Sequence, residues 1–309
     1  MSAGANSLNR GFFVRNLSTN ERGIVMVVLA MACFATNDTL LKLTTATLPP
    51  FETIFFRSMF SIVWSLGLLA ATGGLRNVRQ VAQPRVFLRN FAELIAVLGF
   101  IIGLSNAPIA EFTALNQLAP IILMLIAGLG LGLRVSRLQF ALAGIAFIGA
   151  LLVAQPGSAA FTWFYLFGVW NAVLAAIREL IGRSVPAGIS GIIIALGAAI
   201  ICLFGAGAAA LLFEPVRLPE LRELALLASA ALFLTGGHIF VFMGFRQADP
   251  GVVSPFGYTG TLFAVGASLL VFEVVPNPLA FFGMSLIVLS GIGVILFARD
   301  RTAPLKSPA

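Results

Sequence analysis

Twelve side chains in this 309-residue chain place polar or aromatic chemistry inside long apolar runs, where such groups are costly. Asn37, Asp38 and Lys42 cluster in the first run, with Asp38 and Lys42 one helical turn apart on a common face. Asp38 could meet a ligand amine or a proton, or form a structural ion pair with Lys42, Arg57 or Arg178. Glu179, beside Arg178, carries the same choice between a gate pair and a static one, while Arg89 and Glu93, also i, i+4, read as an interface pair that snorkels to the headgroups. Asn116 and Gln117 could bond a carboxylate and an amine on a ligand, or tie one helix to another. His238 is the sole histidine and follows Gly236-Gly237. It suits a proton relay, a hydrogen bond to a ligand, or an interhelical bond. Trp170, next to Asn171, and Tyr258 each set a ring among polar neighbours, which suits stacking on a flat ligand.

Several chemistries have no residues to stand on. One histidine without HExxH or Cys-x-x-Cys cannot build a metal site of those types, so no metal and no other cofactor is expected. No P-loop and no Gly-x-Ser-x-Gly occurs, and the segment Gly205-Ala206-Gly207 lies inside an apolar span without a preceding strand. Catalysis is therefore not expected. Cys33 and Cys202 sit far apart in sequence within apolar runs and read as small apolar residues.

The elements that must hold these groups follow from composition. The apolar set makes up 59% of the chain, charged residues 10%, and the mean hydropathy is +1.02. A soluble domain carries about 25% charged residues, so this chain cannot cover a water-facing surface. It reads as an all-α polytopic membrane protein. A bilayer core needs about 20 apolar residues per helix. The sequence predicts ten helices over 23–47, 52–71, 85–104, 108–131, 137–154, 162–182, 188–213, 221–246, 251–272 and 278–298, with prolines at most joins. The runs do not alternate, which excludes a β-barrel.

Lysine and arginine set the orientation. With the N-terminus inside, fourteen of the 19 fall on the cytoplasmic side, two (Arg217 and Arg222) outside, and Lys42, Arg57 and Arg178 within helices. Both termini are then cytoplasmic, 1–22 and 299–309 being tails. The first helix reads as uncleaved, since its polar start and missing Ala-x-Ala ending do not suit a signal peptide. The net charge of +7 is an orientation signal, and no nucleic-acid partner is expected.

The second half echoes the first at an offset of 141. Ala35, Asp38 and Lys42 align with Ala176, Glu179 and Arg183; Gly103, Ala107 and Leu138 align with Gly244, Ala248 and Leu279. Like-charge matches at one offset favour a true repeat, 23–154 and 162–298. Five helices per half is an odd number, so the second copy is inverted in the membrane.

At these residues the chain resembles a family. Gly103-Leu104-x-x-Ala107, Ala114-Leu115 and Pro120, with Ser254-Pro255-x-x-Tyr258, Glu273, Gly283 and Gly291, resemble the EamA-type repeats of the drug/metabolite transporter superfamily. Leu133-Arg134 stands where the first copy's closing glutamate would fall, and Thr261 stands opposite Pro120. Among members the chain is most similar to YddG-type exporters of aromatic amino acids. The resemblance implies ten helices, a bacterial inner-membrane location, and a secondary carrier exporting amino acids and related small metabolites by alternating access; a monomer is one possible state, and the sequence does not fix the oligomeric state. Nucleotide-sugar or other metabolite carriage, a passive or regulatory membrane subunit, and an intramembrane enzyme using Asp38, His238 or a glutamate are the alternatives. Few basic residues are available for a phosphate ester.

Overall fold

The computed structural model describes residues 17–45, 47–106, 116, 118–130, 135–154, 163–215, 217–273, 275 and 277–298. Helix accounts for 86%, and no strand occurs among the described residues. The helices are α1 (Thr19–Thr45), α2 (Pro50–Ala71), α3 (Pro84–Asn106), α4 (Ala119–Leu125), α5 (Arg137–Ala154), α6 (Tyr165–Arg183), α7 (Gly191–Phe213) and α8 (Leu221–Gln247). The short α9 (Pro250–Val253) runs through a 3₁₀ stretch, Ser254–Tyr258, into α10 (Thr259–Phe272), and α11 (Pro278–Gly293) closes the set. A π-turn, Ile126–Gly130, extends α4 and another, Val294–Ala298, extends α11. Seven spans among the described residues are long and apolar enough to cross a membrane. Residues 108–115, 117 and 131 of the expected helix 108–131, Gln117 among them, and the tails before Leu17 and after Ala298 fall outside the described residues.

The starts of these helices are written locally. Pro50, Pro250 and Pro278 occupy first-turn positions, where the missing N–H has no intrahelical partner to lose. Ser190, Asp249 and Asn277 accept the free N–H groups of Ile193, Gly251 and Ala280. Glu220 and Glu223 form a reciprocal capping box at the start of α8.

In lipid, helices associate through close contact and polar bonds rather than through apolar burial alone. The principal pairs are α1 with α8, α3 with α6, α2 with α7, and α5 with α11. Secondary pairs are α2 with α8, α3 with α7, α1 with α10, and α4 with α6. The α5–α11 contact is the tightest kind: a Cβ on Gly149 would stand 2.6 Å from the Gly283 carbonyl, and one on Gly283 would stand 2.5 Å from that of Gly149. Along the same seam, the Ser290 hydroxyl donates to the Leu142 carbonyl.

Two corners close the ends of the molecule. At one, the Glu214 carboxylate accepts the N–H groups of Phe51 and Glu52 at 2.8 and 2.9 Å, so the end of α7 caps the start of α2. Arg217 returns its N–H to Glu52 at 2.8 Å, and the Thr47 hydroxyl donates to Glu223. At the opposite corner Arg85 donates to the Ser184 carbonyl, while Arg246 donates to the carbonyls of Ile189 and Pro186. One corner is carboxylate-rich and the other holds cations on carbonyls.

Candidate substrate site and buried ion network

Two polar groups lie one above the other inside the helices. The first is built by α3, α6 and α8, on the side of the Arg85–Ser184 corner. Arg89, Asn90 and Glu93 fall within one turn of α3, so all three present to the same seam. Arg178 donates through Nη1 to Glu93 in a short contact, and through Nε to Glu179 Oε1 at 2.8 Å. Arg89 Nη2 stands 3.9 Å from that same Glu179 oxygen, and its Nη1 donates to Asn90 Oδ1 at 3.0 Å. His238 Nε2 lies 3.4 Å from the other Glu93 oxygen, with the Phe34 ring edge-on to the imidazole at 5.7 Å. Arg89 is 0% exposed, and its Nε finds no partner.

Two guanidiniums face two carboxylates, so the group is close to neutral when the imidazole is uncharged. Burying such a set is costly unless each charge is paired, and removing any member leaves the others unbalanced. The arrangement makes α3, α6 and α8 move as a unit or not at all while the pairs hold.

The second group lies on α1 and α2, towards the Thr47–Glu223 corner. Asn37 is buried and donates from Nδ2 to Asp38 Oδ1 at 2.9 Å. Its Oδ1 accepts Arg57 Nη1 at 3.5 Å. Arg57 is 6% exposed and its Nε has no partner. Asp38 is exposed, and among the described residues Asn37 rather than a direct ion pair links it to Arg57. Cys202 on α7 is buried.

The remaining expected residues scatter. Trp170 is 48% exposed and its indole packs over Gly99 of α3. Asn171 donates to Asn116 Oδ1 at 3.0 Å, tying α6 to the segment ahead of α4. Tyr258 is 0% exposed among Ala146, Ala150, Phe147 and Ile287, and its hydroxyl has no partner. The structure therefore does not bring Tyr258 to the polar groups. Lys42 is exposed in the last turn of α1. Arg183, aligned with it by the 141-residue offset, donates to the carbonyls of Phe245 and Ala248 at the end of α8.

One expectation is corrected. The i, i+4 pair Arg89 and Glu93 reads in the sequence as an interface pair that snorkels to the headgroups. Both are buried, at the centre of the first network. Their spacing was visible; the signal that they turn inward is that Arg178, Glu179 and His238 need charged partners at a similar depth.

Residues 21–155 match the EamA-like transporter family. The likeness extends across both halves in full-length relatives. The pseudopaline exporter CntI of Pseudomonas aeruginosa is 27% identical over 281 residues, spanning 89% of this chain and 96% of the relative. The riboflavin transporter of Rhizobium johnstonii is 26% identical over 289 residues, spanning 93% and 94%. An uncharacterized transporter of Helicobacter pylori is 22% identical over 285 residues, spanning 89% and 94%. A crystal structure with 18% sequence identity superposes with a TM-score of 0.79 over 92% of this chain and all of the other, which shows a shared fold.

Proposed function

We propose that this protein is a secondary transporter of the EamA-like type, built as two inverted five-helix repeats (23–154 and 162–298) with both termini cytoplasmic, that exports amino acids and related small metabolites by alternating access. The helix pairing supports the repeat. Exchanging the first five helices for the last five turns α1·α8 into α6·α3 and α2·α8 into α7·α3, and maps α2·α7 and α5·α11 onto themselves. Even a single contact obeys the offset: Gly149 against Gly283 maps onto Ser290 against Leu142.

The observation that carries the reading is the pair of unlike polar groups at different depths in the helix bundle, which two gates of one passage would provide. The Arg89–Glu93–Arg178–Glu179–His238 network ties three helices together near the cytoplasmic end of that passage, as a closed gate would. On the other side Asp38 and Trp170 stay exposed, as the walls of an outward-facing cavity would. Asn37, Asn116, Asn171 and His238 supply hydrogen bonds to a polar substrate, and Trp170 supplies a stacking face. Relatives that handle pseudopaline and riboflavin support a small organic metabolite as cargo. Aromatic amino acids, as in YddG-type exporters, are the substrates this cavity suits best.

The test is efflux. Cells overproducing the protein and loaded with phenylalanine-containing dipeptides should release free phenylalanine faster than cells carrying the Glu93→Gln variant, at equal membrane abundance. Equal release from both would refute the reading.

A further inference from the structure

The acid and the base of the outer group are held apart. Opposite charges in a low-dielectric interior attract strongly and ordinarily close into a direct pair. Asp38 and Arg57 feel each other's charge without doing so. Asn37 stands between them, giving its amide N–H to Asp38 and its carbonyl oxygen to Arg57. Among the described residues the buried Arg57 Nε finds no hydrogen-bond partner, and Asp38 keeps an exposed side chain. A buried guanidinium N–H with no acceptor is an expense the fold tolerates poorly unless something else satisfies it.

Resting on the transporter reading, we propose that Asp38, Asn37 and Arg57 form a receptor for a zwitterionic head group, an ammonium and a carboxylate on one carbon. The ammonium lies against Asp38 and the carboxylate against Arg57, with the Asn37 amide bonded to both and keeping them apart. A fork of guanidinium N–H groups matches a carboxylate's two oxygens, which a lysine in this place would not do. This assigns Arg57 as a binding residue, and it makes the substrate's class an α-amino carboxylate rather than an amine, an acid or a neutral ring.

The experiment is binding to the purified full-length chain in detergent, where no gradient and no flux is needed. Labelled L-phenylalanine is the probe, with 3-phenylpropionate (carboxylate only) and 2-phenylethylamine (ammonium only) as competitors. Phenylalanine should bind more tightly than either analogue by at least about tenfold, since each charge-assisted bond adds about that much. Arg57→Met and Arg57→Lys should weaken phenylalanine and 3-phenylpropionate by about 10- to 100-fold and leave 2-phenylethylamine unchanged. Asp38→Asn should do the reverse, and it keeps the test decisive should Arg57→Met misfold. Loss of all three ligands to the same degree, no loss of any, or no binding of phenylalanine by the wild type would overturn the inference. A chain that binds in this pattern yet moves no phenylalanine across liposomes would instead refute the transporter reading alone.

Discussion

Removing the charge of Glu93 should unlock the inner network. The Glu93 carboxylate faces Arg178 and His238, and feels Arg89 as well. In Glu93→Gln, the buried Arg57 and Arg89 and the half-buried Arg178 are left with Asp38 and Glu179 as carboxylates among the described residues of the two groups. One cation is then uncompensated, and breaking a buried pair from one side costs about 3–5 kcal/mol. Glu179 still holds Arg178 at 2.8 Å, which puts the expected loss near the lower end of that range. At about 1.4 kcal/mol per decade, this shifts the folded or gate-closed equilibrium by roughly two orders of magnitude. Adding Arg178→Met restores the balance of two and two, so the double variant should recover at least about 2 kcal/mol relative to the sum of the singles. Reversible unfolding in mixed micelles measures all four corners of that cycle. A single-variant loss below about 1 kcal/mol, or strict additivity in the double variant, would refute the claim that the network is a coupled unit.

Other expectations follow from local geometry. Gly149→Val forces a side chain onto the Gly283 carbonyl and should cost at least about 1–3 kcal/mol of stability, whereas Gly144→Val on the same helix meets nothing within 4 Å and should be tolerated; yield of folded protein by size-exclusion chromatography separates the two. Glu214→Gln weakens the charge that caps α2 and should lower stability by about 0.5–2 kcal/mol in thermal unfolding, while Glu214→Ala should cost more. Trp170→Ala should weaken transport of aromatic substrates more than that of small ones, since the exposed indole offers stacking area; equal losses, with less folded protein, would place Trp170 in packing over Gly99 instead. Cysteine tags near Arg79 should label only from the cytoplasm and one near Arg217 only from outside, and the reverse would break the orientation.

Much of the architecture was legible because lipid enforces simple rules. Every backbone group must be satisfied within its own segment, so apolar runs of sufficient length become helices, and Pro50, Pro250 and Pro278 mark their starts. The site was legible only in parts. Asn37, Asp38, Arg57, Arg178, Glu179 and His238 announced themselves as polar residues in apolar runs, but partner choice did not. Asp38 and Lys42 share a helix face by spacing, which does not disclose that Asp38 also accepts the Asn37 amide or that Arg57 reaches that same amide from the next helix. Arg89 and Glu93 sit near enough to a helix end to pass for surface residues, and only the approach of α6 and α8 buries them. Tyr258 looked like a cavity residue from its polar neighbours; the 3₁₀ stretch turns its ring into the α5–α11 packing instead. Side-chain direction between helices is a tertiary property, and spacing along one helix does not encode it.

Entrance counterflow in liposomes tests the central claim most directly. Vesicles containing the purified chain, loaded with unlabelled phenylalanine and diluted into a trace of the labelled amino acid, should accumulate label transiently with no ion gradient imposed. The overshoot should vanish in the Asp38→Asn and Arg57→Met proteins. Absence of any overshoot with amino acids in the wild type, beside a control carrier that gives one, would contradict the account.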